Sequence, residues 1–421
     1  MKSITIKFGG SALSDVKNVN EAANYVLNTS KHKRVTVVVS ATKGTTDALL
    51  DVSNTAKTNH EKANQRLCDV FSRHDDYARS LLSNVEYQDW KAEITSFVEN
   101  SKQHIINIHS NEHSDADVAH ILSLGEKLSA SIFAALIRHK GIASTWVRSE
   151  LLIKTSAASL SATLDEEKTA AAFARLPKDF FENAIRIITG FCGADIHGNT
   201  TLLGRNASDY SAAIVTAYAT DELELIGDTG GILSADPDYV PGAVNIPSLT
   251  IEDASLLSQC GAGVLHPRTL YPLLKEQKAI SLSCLSHETK TIIHQGKSER
   301  EQSYVAAWSP PENPRLSKRP PLPLFLKKWH AQTPDLALVS VFLADQLAPK
   351  VWQQKLIRIA EKAEINIYQR KLVVHNRLLV FAVAKEDLQR FTRLVHSALY
   401  PVHQETAVAI IGASGRIGRQ T

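Results

Sequence analysis

Cysteine is scarce in this chain of 421 residues: only Cys68, Cys192, Cys260 and Cys284 occur, far apart and with no CxxC pair. That pattern excludes a small disulfide-stapled scaffold and predicts reduced, mostly buried thiols. A surplus of one charge is also missing. With 47 basic and 44 acidic side chains the formal net charge is +3, which gives no electrostatic ground for a nucleic acid or an anionic membrane as partner. No apolar run approaches the ~20 residues of a membrane-spanning helix. The first residues read as a strand rather than as a charged segment leading into an apolar one, so the expectation is a soluble, cytoplasmic protein. What the chain does have is 43% hydrophobic residues, enough for a large core and two or three domains.

Between Ile4 and about Ser286, strand-like runs (Ile4 to Phe8, Val35 to Ser40, Thr145 to Val147, Arg186 to Thr189, Leu223 to Ile226, Ala279 to Cys284) alternate with helical ones. Such alternation predicts an α/β domain with a largely parallel sheet, whose ligands lie at the carboxyl ends of the strands. Residues 47 to 136 read as a polar, mainly helical insertion. It contains His104, His109, His113 and His120, which only partly share a helix face and have no HExxH beside them, so no metal site is expected. From 296 to 332 the composition changes, with Pro310, Pro311, Pro314, Pro320, Pro321 and Pro323 close together. Proline continues neither a helix nor a central strand, which marks a linker. After it come a strand (Leu336 to Phe342), a helix (Lys350 to Lys362), two strands (Ile365 to Tyr368, Leu379 to Val383), a helix (Lys385 to Leu399) and a strand (Ala407 to Ile411), the outline of a small α+β domain. The tail from Gly412 to Gly418 has the glycine spacing of a dinucleotide loop, but only three residues follow it. With no following helix and no ribose-holding acid, a dinucleotide site is not expected.

Two short glycine-led stretches carry the chemistry. In Gly204-Arg205-Asn206-Ala207-Ser208-Asp209-Tyr210 a cation, a hydroxyl and a carboxylate share one turn ahead of the apolar helical run from Ala212 to Ala219. Ser208 and Asp209 then sit at a helix start, where unpaired N–H groups and the helix dipole favour an anion. Arg205 adds a planar fork suited to a carboxylate or a phosphate. An ordinary βα turn capped by Ser208 or Asp209 explains this heptapeptide alone equally well. The N-terminus breaks the tie. Residues 2 to 8 alternate as a strand and run into Gly9-Gly10-Ser11, where paired glycines let a polyphosphate approach the backbone, with Lys7 within reach of its outer phosphates.

Together these two stretches resemble the aspartokinase branch of the amino-acid kinase family, and in particular the kinase portion of the bifunctional aspartokinase–homoserine dehydrogenases. Val38 to Thr46, Leu124-Gly125-Glu126-Lys127-Leu128-Ser129, Thr189-Gly190-Phe191, Ala235-Asp236-Pro237 and Gly261 to Arg268 follow in that family's order, over residues 2 to about 285. The resemblance implies an amino-acid kinase sandwich with a largely parallel central sheet over 1–295, a Pro-rich linker over 296–332 and a small α+β ACT-like regulatory region over 333–421. On that resemblance, the second unit of the region would be incomplete at Thr421.

The resemblance also implies residue roles. Arg205 would clamp a carboxylate of L-aspartate, Glu126 would take its ammonium, and Ser40, Thr46 and Ser208 would add hydrogen bonds. Lys7, Gly9, Gly10 and Ser11 would hold the phosphates of ATP, with Asp209 orienting Lys7 and Mg2+ held mainly by the phosphates themselves. Asp228, Leu233, Asp236, Asp238 and Gly263 would line the nucleotide side. The implied activity is transfer of the γ-phosphoryl group to the β-carboxylate of L-aspartate, by a homo-oligomer assembled through its ACT-like regions. Departures from the family pattern gather on the nucleotide side: Gly227 replaces a Thr or Ser, Leu233 a Tyr, Asp238 an Arg and Gly263 a Lys, with Lys43 and Arg268 as substitute cations. They raise the alternative of a catalytically weak or inactive homologue that binds an amino acid and serves as a regulatory or assembly subunit.

Overall fold

The computed structural model describes residues 1–110, 115–204, 207–228, 230–258, 260, 265, 267–286, 289–296, 302–308, 336–344, 346–373 and 377–401. They fall into two compact units, the first built from residues 1–233 and 244–296, the second from 234–243, 302–308 and 336–401.

The first unit is an α/β domain around an eight-stranded sheet. Its strands are β1 (Ser3–Phe8), β2 (Arg34–Val39), β3 (Ser144–Val147), β4 (Ile185–Thr189), β7 (Glu222–Ile226), β10 (Ser248–Thr250), β11 (Ala279–Ser283) and β12 (Lys290–His294), in the order β10-β12-β11-β7-β1-β2-β4-β3. Every pairing is parallel except β11 with β12. Two-stranded pairs lie outside this sheet: β5 (Cys192–Ala194) with β6 (Thr200–Leu202), and β8 (Ile232–Leu233) with β9 (Asn245–Ile246).

β1 shows how an alternating sequence becomes a central strand. Ile4, Ile6 and Phe8 enter the apolar core, while the intervening Ser3 and Thr5 are also buried. Thr5 Oγ1 lies 2.7 Å from Thr220 Oγ1, and Ser3 Oγ donates to Asp221 at 2.8 Å. Both faces are covered because the polar face finds partners.

The insertion folds as four helices, α2 (Thr45–Ala56), α3 (His60–Leu81), α4 (Asn84–Ser110) and α5 (Asp115–His139); α1 (Val16–Ser30) precedes them, started by Asp15, which accepts from Asn18 N. α5 is buried at every position from Ile121 to Ile137. It corrects the expectation that no run is apolar and long enough to cross a membrane, since by length and composition this helix qualifies, yet 94% of the qualifying window is inside the fold. A helix apolar all round is a core helix when protein surrounds it, and here Trp90 Nε1 of α4 donates to Ser131 Oγ at 2.9 Å to help enclose it. Among the histidines of the insertion, His104 and His120 stack at 3.7 Å, and His104 Nδ1 meets Asp117 at 2.6 Å. Burial pushes His120 down to about 3. His113 lies outside the described residues. Of the four thiols, Cys192, Cys260 and Cys284 are buried and Cys68 is exposed, and none of the four forms a disulfide.

The second unit has a four-stranded antiparallel sheet in the order β13-β14-β16-β15, from β13 (Tyr304–Trp308), β14 (Ala337–Phe342), β15 (Gln369–Val373) and β16 (Leu378–Val383). Two amphipathic helices, α10 (Pro349–Lys362) and α11 (Leu388–Leu399), contribute Leu356, Ala360, Phe391 and Val395 to its core. Two local readings change. β13 falls inside the stretch read as linker, because a short apolar run is easily hidden between charged and Pro-rich neighbours. The strand expected over Ile365 to Tyr368 instead begins at Gln369: Glu364 takes φ 56, Ile365 N turns back to Ala360 O at 2.9 Å, and Ile365 and Ile367 spend their side chains on the core as the chain leaves the helix. The linker prolines, the strand expected over Ala407 to Ile411 and the glycine-rich tail lie outside the described residues.

One buried charge is central to the first unit. Lys127 on α5 is 2% exposed, pairs with Glu150 Oε1 at 3.0 Å and donates to Ser123 Oγ at 2.8 Å. Removing the cation leaves Glu150 buried without its counter-charge, so Lys127→Ala is expected to lower unfolding free energy by about 3–5 kcal/mol. Urea unfolding followed by circular dichroism measures it; a loss below about 1 kcal/mol would mean that Glu150 is rehydrated rather than stranded.

Candidate functional site

Register decides where the site lies. Phe8 is level with both Val39 and Ile226, and Val39 is level with Thr189. The residues that follow these parallel strands, Gly9, Ser40, Gly190 and Gly227, therefore leave the sheet side by side at its carboxyl edge, the usual place for a ligand in such a sheet.

At the centre of that edge Lys7 Nζ contacts Asp209 Oδ1 at 2.6 Å, the two side chains being 12% and 23% exposed. The oxygen has no hydrogen-bond partner, so this is an ion contact rather than an aligned hydrogen bond. Asp209 stands in the first turn of α7 (Ala207–Ala219), where the helix dipole favours a carboxylate. Lys7 Nζ also lies over the diglycine, 3.6 Å from where a Cβ on Gly9 would be. At Gly10 no side chain fits, because its Cβ would stand 2.8 Å from Ala41 O. That close approach lets Lys43 N donate to Gly10 O at 3.2 Å, binding the loop after β2 to the loop after β1. Ser11 Oγ donates to the Asp228 carboxylate, which closes the loop on the strand β7 side.

The side towards β2 and β4 holds the other expected residues. Glu126 is 3% exposed; its Oε1 accepts from Ala41 N at 3.2 Å, while Oε2 is buried with no partner. Burial pushes this carboxyl up to about 8, because ionising it without a cation beside the second oxygen is unfavourable. Ser208 is pressed against the chain at Gly190, where a Cβ would come within 2.7 Å of Ser208 Cβ and Oγ. Ser40 follows β2, its N–H donating to Phe8 O at 3.2 Å, and Thr46 is half-buried in the first turn of α2. Lys7, Gly9, Gly10, Ser11, Ser40, Thr46, Glu126, Ser208, Asp209 and Asp228 thus belong to one edge of one unit. It combines a glycine loop and the Lys7–Asp209 ion contact with a buried carboxyl whose second oxygen has no hydrogen-bond partner.

The remaining expected residues fall elsewhere. Arg205 and Gly263 lie outside the described residues. Leu233 pairs with Asn245 in the β8–β9 ribbon of the first unit, half-buried. Asp236 and Asp238 belong to the second unit, where Asp236 Oδ1 accepts from Asp238 N at 3.0 Å and Arg393 of α11 donates to Tyr239 O at 2.5 Å. Arg268, named above as a substitute cation, has its Nη1 4.0 Å from the Cβ position of Gly204. Its place in the Gly261 to Arg268 stretch was the available signal.

The sequence profile of the amino acid kinase family matches residues 2–282. A chloroplastic bifunctional aspartokinase/homoserine dehydrogenase 1 of Arabidopsis thaliana is 30% identical over 276 residues, 64% of this chain and 30% of that protein. An aspartokinase of Chlamydia pneumoniae is 31% identical over 278 residues, 65% of this chain and 58% of that protein. The matched region therefore spans well under two thirds of either relative. In fold, the chain is similar to the crystal structure of E. coli aspartokinase III in complex with aspartate and ADP, with a TM-score of 0.76 at 20% identity, over 95% of this chain and 100% of that one. With its family profile matched from residue 2 to residue 282, the chain belongs to the amino acid kinase family.

Proposed function

We propose that this chain is an ATP-dependent aspartate kinase, which transfers the γ-phosphoryl group to the β-carboxylate of L-aspartate and releases 4-phospho-L-aspartate and ADP. The observation that carries the reading is the pairing, along one sheet edge, of the Lys7–Asp209 ion contact over a bare diglycine with the vacant oxygen of buried Glu126. The first suits a polyphosphate and the second an ammonium group. The similarity to aspartokinases supports the choice of substrate.

Phosphoryl transfer needs the acceptor and the γ-phosphate held in line, with charge on the phosphoryl oxygens offset. The acceptor carboxylate is already ionised at neutral pH, so no general base is required. Lys7, fixed by Asp209, offsets the charge, and the amides of Gly9, Gly10 and Ser11 cradle the phosphates. Glu126 takes the substrate ammonium on Oε2, Ser40, Thr46 and Ser208 donate to its carboxylates, and Arg205 clamps one of them. The residues fit a magnesium nucleotide: Gly9 and Gly10 carry no side chain of their own, the Lys7 cation stands beside Gly9, and Asp228 offers an exposed carboxylate beside Ser11. Mg2+ bound to the phosphates supplies further charge neutralisation. Lys43 and Arg268 take the place of the missing nucleotide-side cations, and the ACT-like second unit makes the oligomer contacts.

Hydroxylamine trapping with magnesium-ATP is the direct test. L-Aspartate should give acyl hydroxamate and L-glutamate should not, and Lys7→Ala should cut the rate by about a hundredfold or more. No hydroxamate, with aspartate still raising the melting temperature, would favour a binding-only homologue that has lost its nucleotide half.

The raised carboxyl of Glu126 sets a pH dependence. Its folded value lies above the ordinary 4.5, so free protein should lose stability as pH rises from that range through about 8. Aspartate reverses the trend, because its ammonium favours the ionised form. Its affinity should increase by roughly tenfold per pH unit from about pH 6 and level off above about pH 8. Calorimetric titration should show this slope in the wild type and not in Glu126→Gln; a flat profile in the wild type counts against Glu126 as the ammonium partner.

On the nucleotide side, Leu233→Tyr restores a ring for stacking and should tighten ADP binding roughly two- to tenfold. Unchanged affinity in a fluorescence titration would remove Leu233 from the nucleotide site.

A further inference from the structure

His74 on α3 belongs to none of the motifs above, yet it is 3% exposed and fully engaged. Its Nδ1 lies 2.7 Å from Val70 O, one turn earlier on the helix. A carbonyl only accepts, so Nδ1 carries the ring proton and Nε2 is left as an acceptor. Burial lowers the ring's proton affinity and keeps it neutral. Nε2 faces Thr42 Oγ1 at 3.2 Å, which makes Thr42 the donor, and Thr42 Oγ1 in turn lies 2.6 Å from Thr45 Oγ1, which makes Thr45 the donor to Thr42. Hydrogen bonds therefore run one way, from Thr45 to Thr42 to His74 to Val70.

The loop held by this chain starts at Ser40 and leads into Thr46, the two residues assigned to the substrate side, and its middle is bound to the diglycine through Lys43 N and Gly10 O. The start of the loop is held separately, by Ser40 N on Phe8 O and Ala41 N on Glu126 Oε1, both at 3.2 Å, so the threonine chain acts on its second half. α2 begins after Gly44 at φ 80, which supplies no side-chain cap. A polar cavity of about 150 Å³, bordered by Ser14, Lys43, Arg73 and Tyr77, opens beside the two threonines.

We propose that His74 is a positioning residue for the substrate-side loop: through Thr42 and Thr45 it fixes the separation of Ser40 and Thr46 without touching substrate itself. The proposal rests on the aspartate kinase reading, and its test separates the two. In protein labelled with 15N-histidine, His74 should give the Nδ1–H tautomer, observed without any turnover; an Nε2–H tautomer overturns the relay. His74→Leu should raise the KM for aspartate on the order of tenfold while kcat and the KM for ATP change less than about twofold. His74→Gln, whose amide oxygen accepts from Thr42, should recover most of the loss. Thr42→Val breaks the same link from the loop side and reports if His74→Leu folds poorly. Wild-type activity with an unchanged aspartate KM in His74→Leu and Thr42→Val overturns this proposal alone. A wild-type chain that neither phosphorylates nor binds aspartate overturns the kinase reading and this proposal with it.

Discussion

The level pairing of β1 with β2 and β7, and of β2 with β4, is the constraint on which the first unit depends. A parallel strand carries its chain out at the same edge as its neighbour, so once Phe8, Val39, Thr189 and Ile226 are in register the loops after them must meet. Their closeness then dictates residue size. Glycine at 10 and 190 is a consequence of neighbouring chains passing within van der Waals contact. The same crowding brings Lys7 against Asp209, delivered by the first turn of α7.

Electrostatics follows from depth. Lys7 and Asp209 keep partial access to water and lie against each other. Glu126 and Lys127 are neighbours on α5, almost fully buried, and resolve the cost of burial differently. Lys127 is matched by Glu150, whereas Glu126 has a hydrogen bond on one oxygen and nothing on the other, and holds a proton instead. A buried carboxyl prepared in this way favours a ligand that brings its own positive charge. α5 can carry both groups because its many small residues let the loop after β2 pack directly on the helix: a Cβ at Gly125 would come within 2.7 Å of Ala41 Cβ.

Much of this was legible in the sequence, for identifiable reasons. The alternation of Ser3 to Phe8, the paired glycines and the turn from Gly204 to Tyr210 are local signals, and each places a backbone feature within a few residues of the side chain it serves. The parallel sheet was legible from the spacing of apolar runs. His74 was not, because its partners Thr42 and Thr45 stand about 30 positions away in sequence and a single histidine in a helical insertion has no local signature. β13 was hidden by proline-rich surroundings, and the place of β15 depends on how the chain turns after α10 at Glu364, a left-handed residue that no glycine marks. The apolar run of α5 was missed because its charged and polar residues interrupt the run without interrupting its burial.

The segment Ser234–Ala243 shows how one motif can have two masters. It leaves the β8–β9 ribbon of the first unit but folds with the second, giving Ala235 and Val240 to that core, its backbone tied to α11 through Arg393. Asp236 uses its carboxylate to accept the N–H of Asp238, a local turn that needs neither a nucleotide nor an arginine at 238. The structural requirement at 236 is thus for a short acceptor, whereas 238 contributes only backbone here, its carbonyl accepting from Gln389. A position held by its backbone tolerates a change of side-chain charge without loss of fold. That accounts for how Asp238 can depart from the pattern of the aspartokinases while the turn around it stays formed.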